Sequence, residues 1–136
     1  MISIISAVMT WITALTGLVF GYKSWRNSKL DAVKQFMEAE NSEELFQARH
    51  ELYHCKYLGE MQELSATKIS SHYHFWGLMV KRGYLPIWVF DGEPGESAIQ
   101  LYYLLEGYIK KRRCTKTKYA ENFTWLILKI EKRNGG

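Results

Sequence analysis

The sequence predicts an all-α protein in which one N-terminal transmembrane helix is followed by a compact bundle of four or five helices. Three observations carry this expectation. Residues Ile2 to Tyr22, "ISIISAVMTWITALTGLVFGY", contain no charged side chain. Beyond them, apolar residues recur at spacings of three and four in several segments, the pattern of helices that bury one face. No pair of alternating strands joined by a hairpin turn occurs in the 136 residues. A chain of this length holds material for one soluble domain beyond the apolar run. We divide it into a transmembrane helix with its cytoplasmic extension over residues 1–40 and a cytoplasmic helical bundle over residues 41–136.

A helix over the apolar run would be about 31 Å long, which matches a hydrocarbon core of roughly 30 Å. A cleaved signal peptide would carry basic residues before its apolar stretch. Here Lys23, Arg26 and Lys29 follow it instead. By the positive-inside rule these cations keep their side in the cytoplasm. The expected location is the bacterial inner membrane, with the N-terminus outside and the bundle inside. Trp25 suits the headgroup layer, and Lys23, Arg26 and Lys29 are expected to contact lipid headgroups there. Cys55 and Cys114 show no metal-binding spacing and would stay reduced in the cytosol.

Within the span, Ser3, Ala7, Thr10, Ala14, Gly17 and Gly21 follow one another in steps of four and three. Every position on that line is small, and Gly17 with Gly21 forms a GxxxG pair. The other faces carry Ile4, Val8, Trp11, Leu15 and Phe20. Lipid offers no hydrophobic drive between helices, so association depends on close backbone approach through small residues. The line is therefore an expected oligomer seam, with Ser3 and Thr10 able to bond across helices or to face water in a pore.

Nothing breaks the helix between Lys29 and Glu40. Asn41, with Glu44 three residues later, predicts a capping-box start for a second helix that ends before Gly59. A third helix is expected over Ala66 to Arg82, stopping at Gly83, with Ile69, Tyr73, Trp76 and Val80 on its inner face. Pro86 can open a single helical turn, and "DGEPGES" reads as a loop. A fourth helix is expected over Ser97 to Arg113, with Leu101, Tyr102, Leu105 and Tyr108 along one side. A last one covers Tyr119 to Lys132, with Tyr119, Phe123, Leu126, Ile127 and Ile130 inward.

The net charge of +4 is concentrated in Lys110, Lys111, Arg112, Arg113, Lys116 and Lys118. Cations favour a helix C-terminus; anionic lipid is the second reading, taking Lys110, Lys111, Arg112 and Arg113 as contacts. Nucleic acid is a further conceivable partner, but no aromatic-rich RNA-binding motif accompanies the cluster. The chain holds no glycine-rich phosphate loop and no nucleophile elbow. No cofactor and no small-molecule substrate are expected.

The hexapeptide Arg49 to His54, "RHELYH", admits three readings. His50-Glu51-Leu52-Tyr53-His54 fits the HExxH pattern of zinc proteases, with two imidazoles on one helical face and Glu51 as base. Tyr57 and Glu60 stand where one extended form of that motif has Gly and His, and Lys56 sits at a position usually apolar. Glu60 or Glu63 could in principle coordinate as a third ligand, but nothing distinguishes them from surface glutamates, and no metal is expected. Arg49 to His54 also resembles the R-[N/H]-x-x-x-H motif of HEPN ribonucleases, which are all-helical bundles. That resemblance implies metal-free RNA cleavage at a site shared by two protomers, with His54 handling the 2′-hydroxyl proton and Arg49 holding the phosphate. The family's motif opens a late helix, whereas here it lies within an early one. In the third reading Arg49, His50 and Glu51 form a polar face while Leu52 and Tyr53 pack inward. His72 and His74, two apart, fall on different faces of their helix.

The segments "FWGLMVKRGYLP", "LYYLLEGYIKKRR" and "YAENFTWL" resemble a family of prokaryotic membrane proteins of unknown function with one span and a small helical bundle. That plan, with R-x-x-x-x-H, also resembles the membrane accessory proteins of type VI-B CRISPR systems, which are divergent HEPN proteins. The second resemblance implies an oligomeric membrane pore acting in antiphage defence. The expected function is therefore non-enzymatic, that of a self-associating, membrane-perturbing or pore-forming effector. The alternatives are a membrane-tethered HEPN-like ribonuclease using Arg49 and His54, and then a zinc protease.

Overall fold

The computed structural model describes residues 2–54 and 63–135, without the side chains of Ile2 and Trp25. The expectations for Cys55, Lys56, Tyr57 and Glu60, and for a helix end just before Gly59, lie outside the described residues. Those residues form five α-helices and one short 3-10 turn, with no strand among them.

Helix α1 runs unbroken over Ile2–Glu40, about 58 Å at the α-helical rise. Its first part is long and apolar enough to cross a membrane by length and composition, and that part is wholly exposed. Only the last turns enter the bundle. Phe36 is completely buried there, flanked by the half-buried Ala32, Val33 and Met37. The Phe36 ring meets Phe90 at 4.9 Å and Trp76 at 5.4 Å between centroids, so one aromatic side chain seats the long helix.

Helix α2, Glu43–Tyr53, begins one residue later than the capping-box reading expects. Ser42, not Asn41, is its cap: the Ser42 backbone is extended and its Oγ accepts the Leu45 N–H. Asn41 closes α1 instead, its side-chain amide donating to the Met37 carbonyl at 2.9 Å. The two functions divide between adjacent residues because α1 and α2 are joined by only two residues, each of which must satisfy a different set of orphan backbone groups.

Helix α3, Glu63–Lys81, lies at the centre and packs against α2, α4 and α5. Ile69, Tyr73 and Trp76 are buried as their spacing predicts, with Val80 half-buried at the end. Gly83 follows in the left-handed region (φ +80°), and the N–H of Tyr84 reaches back to the Met79 carbonyl at 2.9 Å. This is the glycine-terminated helix end that the sequence indicates. Pro86 precedes the 3-10 turn Ile87–Phe90.

Helix α4, Glu93–Arg113, corrects the expected loop. The turn-forming residues Glu93, Pro94, Gly95 and Glu96 are its first turn. A proline tolerates that position because the first helical N–H groups have no partner inside the helix. Gly95 is there for space: a Cβ would lie 2.1 Å from the Phe90 carbonyl oxygen. Leu101, Leu105 and Tyr108 are buried, and Tyr102 is half-buried.

Helix α5, Glu121–Gly135, starts two residues after the expected Tyr119. Ala120, in the left-handed region at φ +54°, breaks the chain direction. Arg113 secures this corner by donating to the carbonyls of Tyr119 and Ala120 and to Thr124 Oγ1. Phe123, Leu126, Ile127 and Ile130 face the core.

The α3–α5 contact is the most extensive in the bundle, and Gly77 permits it. A Cβ at Gly77 would stand 2.3 Å from the Asn122 carbonyl oxygen, which is main chain and cannot swing aside. Gly77→Ala is therefore expected to destabilise the bundle by about 1–3 kcal/mol. Thermal unfolding followed by circular dichroism should show a lower Tm; an unchanged Tm would mean that the helices separate there without penalty.

Candidate functional site

The hexapeptide occupies the last turns of α2, and its residues leave the helix in different directions. Leu52 is fully buried, but Tyr53 is 45% exposed. The expectation that both pack inward holds for Leu52 alone, because consecutive helical positions are about 100° apart. Tyr53 instead places its hydroxyl 3.4 Å from Ser97 Oγ on α4. Glu51 accepts a hydrogen bond from Ser65 on α3. His50 and His54 lie side by side on the exposed face, 4.2 Å between centroids. His54 is the C-cap of α2, with its Nδ1 2.8 Å from the His50 carbonyl. Among the described residues no group of three or more His, Cys, Asp or Glu converges.

Arg49 turns the other way. Its guanidinium grips the last residue of α1, donating to both carboxylate oxygens of Glu40 at 2.6 and 2.7 Å and to the Glu40 carbonyl at 2.7 Å. Two residues of α3 complete the cluster: Tyr73 donates its hydroxyl to Glu40 at 2.8 Å, and His72 Nε2 lies 3.0 Å from the same oxygen. Glu40 is 8% exposed. Burial works against its charge. The His72 hydrogen bond, the Arg49 and His72 charges and the Tyr73 hydroxyl outweigh that cost and hold the carboxyl below its ordinary pKa of 4.5. Burial, reinforced by the Glu40 charge, pushes the Tyr73 hydroxyl far above its usual range.

Arg49 and His54 thus serve different surroundings within one protomer: a neutralised ion pair and an exposed helix end. A cleft of about 220 Å³ beside the ion pair is lined by Glu40, Asn41, Arg49, Glu93 and Ser97. A phosphate entering it would meet two carboxylates. The cluster joins α1, α2 and α3, a structural task suited to a half-buried guanidinium that bonds the Glu40 carboxylate through one nitrogen and its carbonyl through another. His74, on the opposite side of α3 from this cluster, accepts the Asn122 backbone N–H at 3.2 Å.

The seam residues Ser3, Ala7, Thr10, Ala14, Gly17 and Gly21 all lie on the exposed part of α1. Thr10 Oγ1 donates to the Ser6 carbonyl at 2.9 Å, and Thr13 and Thr16 do the same one turn back. At Gly17 and Gly21 an added Cβ would meet nothing within 4 Å, in contrast to Gly77 and Gly95. The steps of four and three also continue past the apolar run, through Ser24, Ser28, Asp31 and Gln35. These four line a cleft of about 700 Å³ whose far wall is Arg82 and Tyr84, after the end of α3. The continuation of the line was legible in the sequence; the approach of Arg82 and Tyr84 was not, because it depends on how α3 packs.

Lys23, Arg26 and Lys29 follow the apolar run on α1. Lys110, Lys111, Arg112 and Arg113 form the last turn of α4, where cations oppose the negative end of the helix dipole. Arg113 is engaged with the α4–α5 corner, and Arg112 lies over the Tyr119 ring. Lys116 and Lys118 lie in the link to α5, and Cys114 is an exposed free thiol. Comparison of the chain with protein-family models, with curated proteins and with solved structures finds no match.

The Glu40 cluster generates two predictions. A carboxyl whose folded pKa is depressed contributes stability that is present above its ordinary value of 4.5 and lost as pH falls through the folded value. The Tm should therefore drop as pH is lowered below about 4.5, and Glu40→Gln should flatten that part of the profile. A Glu40→Gln profile parallel to that of the unmodified protein would contradict this assignment. Arg49→Ala strands the buried carboxylate and is expected to cost about 3–5 kcal/mol, whereas His54→Ala should leave the unfolding free energy within about 0.5 kcal/mol of the unmodified protein. His54→Ala is accordingly the variant that tests hydrolytic chemistry without disturbing the fold.

Proposed function

We propose that the protein is a non-catalytic membrane protein anchored in the bacterial inner membrane by α1. In this reading the N-terminus faces outward, the bundle is cytoplasmic, and the chain self-associates through the Ser3–Gly21 line. It acts by perturbing the membrane in which it assembles. The observation that carries the reading is the open space at Gly17 and Gly21 on the apolar part of α1, which no described residue of the bundle covers. Glycine in a helix interior costs roughly 1 kcal/mol relative to alanine. At Gly77 and Gly95 contacts within the chain explain the absence of a Cβ. At Gly17 and Gly21 nothing among the described residues does, and close approach of a second α1 supplies a reason.

The back-bonded hydroxyls of Thr10, Thr13 and Thr16 support the same reading. Each spends its proton on a carbonyl of its own helix and so enters hydrocarbon without an orphaned donor. Each keeps lone pairs that can accept from water in a pore.

The intact chain is expected in the membrane fraction, and deletion of residues 1–22 should release it into the soluble fraction. Full-length protein found soluble without detergent would end the anchor reading. Gly17→Leu or Gly21→Leu should weaken the oligomer in mild detergent by on the order of tenfold or more in dissociation constant. Phe20→Leu, off the seam, should do little. The glycine variants should also lose membrane depolarisation or toxicity on overproduction. A monodisperse monomer of the unmodified protein would overturn the seam.

A further inference from the structure

We propose that the cleft between α1 and the C-terminal end of α3 is a binding site for the phosphate-bearing headgroup of a membrane phospholipid. The proposal rests on α1 being a membrane span. The cleft opens at Gly21, where the apolar run ends, and extends past Ser24 and Ser28. From Gly21 to Ser28 the helix rises about 10 Å, comparable with a headgroup layer of roughly 5–8 Å per leaflet.

Its chemistry suits a phosphodiester. Lys29 stands on one wall and Arg82 on the other, against a single carboxylate, Asp31, which accepts the Gln35 amide at 2.9 Å. Arg82 is exposed, and its guanidinium makes no ion pair or hydrogen bond among the described residues. Ser24 and Ser28 differ from the threonines of the span: neither hydroxyl is back-bonded, so both remain available as donors. Gly83, at φ +80°, turns the chain so that Arg82 and Tyr84 both reach the cleft. Tyr84 is 61% exposed and Trp88, just beyond it, 53%; amphipathic rings of this kind sit comfortably at headgroup depth.

A second copy of the chain fits the cleft less well. The seam line does continue along its floor, but a two-fold partner would bring another Lys29 and Arg82 against the first pair, like charge on like. An anion removes that repulsion and gives Arg82 charge-assisted hydrogen bonds, with the Lys29 charge on the facing wall. A lipid held here would touch α1 where it leaves the membrane and α3 at the centre of the bundle, joining the two through a molecule of the bilayer.

The test uses full-length protein, delipidated in mild detergent and titrated with dioleoylphosphatidylglycerol, with bound lipid counted by native mass spectrometry. Parallel arms use inorganic phosphate and dioleoylglycerol, which present the phosphate or the tails alone. The unmodified chain should retain phosphatidylglycerol in preference to either. Arg82→Ala combined with Lys29→Ala should lower apparent affinity by about tenfold or more, with the bundle's Tm unchanged. Lys110→Ala combined with Lys111→Ala, at the far basic cluster, should leave retention intact. Equal retention by the Arg82/Lys29 variant overturns the site. Inorganic phosphate binding as tightly as the lipid, with the same dependence on Arg82, overturns the lipid as its source. Dioleoylglycerol binding equally well overturns the role of the phosphate. Loss of the oligomer in the Arg82/Lys29 variant without loss of lipid assigns the cleft to a contact between copies and overturns the proposal. Full-length protein that fractionates with membranes but shows no Arg82 dependence of lipid retention loses this site and keeps the anchor; protein that is soluble without detergent loses both.

Discussion

Glu40 is the last residue of a helix about 58 Å long, and its carboxylate is buried where α1, α2 and α3 meet. A charge in that position is tolerated only when its lone pairs are filled. Arg49 supplies two bonds from α2, while Tyr73 and His72 supply two more from α3. Phe36, one turn earlier, adds the apolar half of the joint. The rest of the bundle is organised around this point. Removing the ion pair would leave the long helix held to the bundle by Phe36 and its half-buried neighbours alone.

The same helix presents two kinds of surface. Over residues 3–22 its apolar side chains are exposed on every side, and its threonine hydroxyls are bonded back to its own main chain. Over its last turns only one face is apolar, and that face is buried. Between them lies a polar stretch where small and hydroxyl-bearing residues continue the seam line beside Arg82. The proposals of self-association and of a headgroup site both arise from this stretch and the span before it. Both are contacts of the exposed helix with its surroundings rather than chemistry inside the bundle.

Much of the fold was legible in the residues because it depends on local periodicity. The stripes Ile69-Tyr73-Trp76 and Phe123-Leu126-Ile127-Ile130 mark core faces by spacing alone, and Gly83 marks a helix end by its freedom to adopt positive φ. The misplaced boundaries share a cause. "DGEPGES" is rich in turn formers, yet Pro94 and Gly95 open α4, one using the unpaired first turn and the other making room for the Phe90 carbonyl. Asn41 and Ser42 are both good caps, and which one caps α2 is decided by where α1 ends.

The hexapeptide marks where local reading stops. Its letters match two catalytic signatures, but a motif states only which side chains are close in sequence. By itself the sequence determined an all-helical chain, one helix apolar enough to span a membrane, a line of small residues along it and the cations that follow it. These are properties of single helices, set by a period of 3.6 residues and the polarity of each side chain. Only the tertiary structure decided that Arg49 is the partner of Glu40, that His54 is an exposed helix end, and that Arg82 faces Ser24 and Ser28 across a cleft. Those pairings join residues nine to more than fifty positions apart, and their energy depends on burial, which no local spacing encodes.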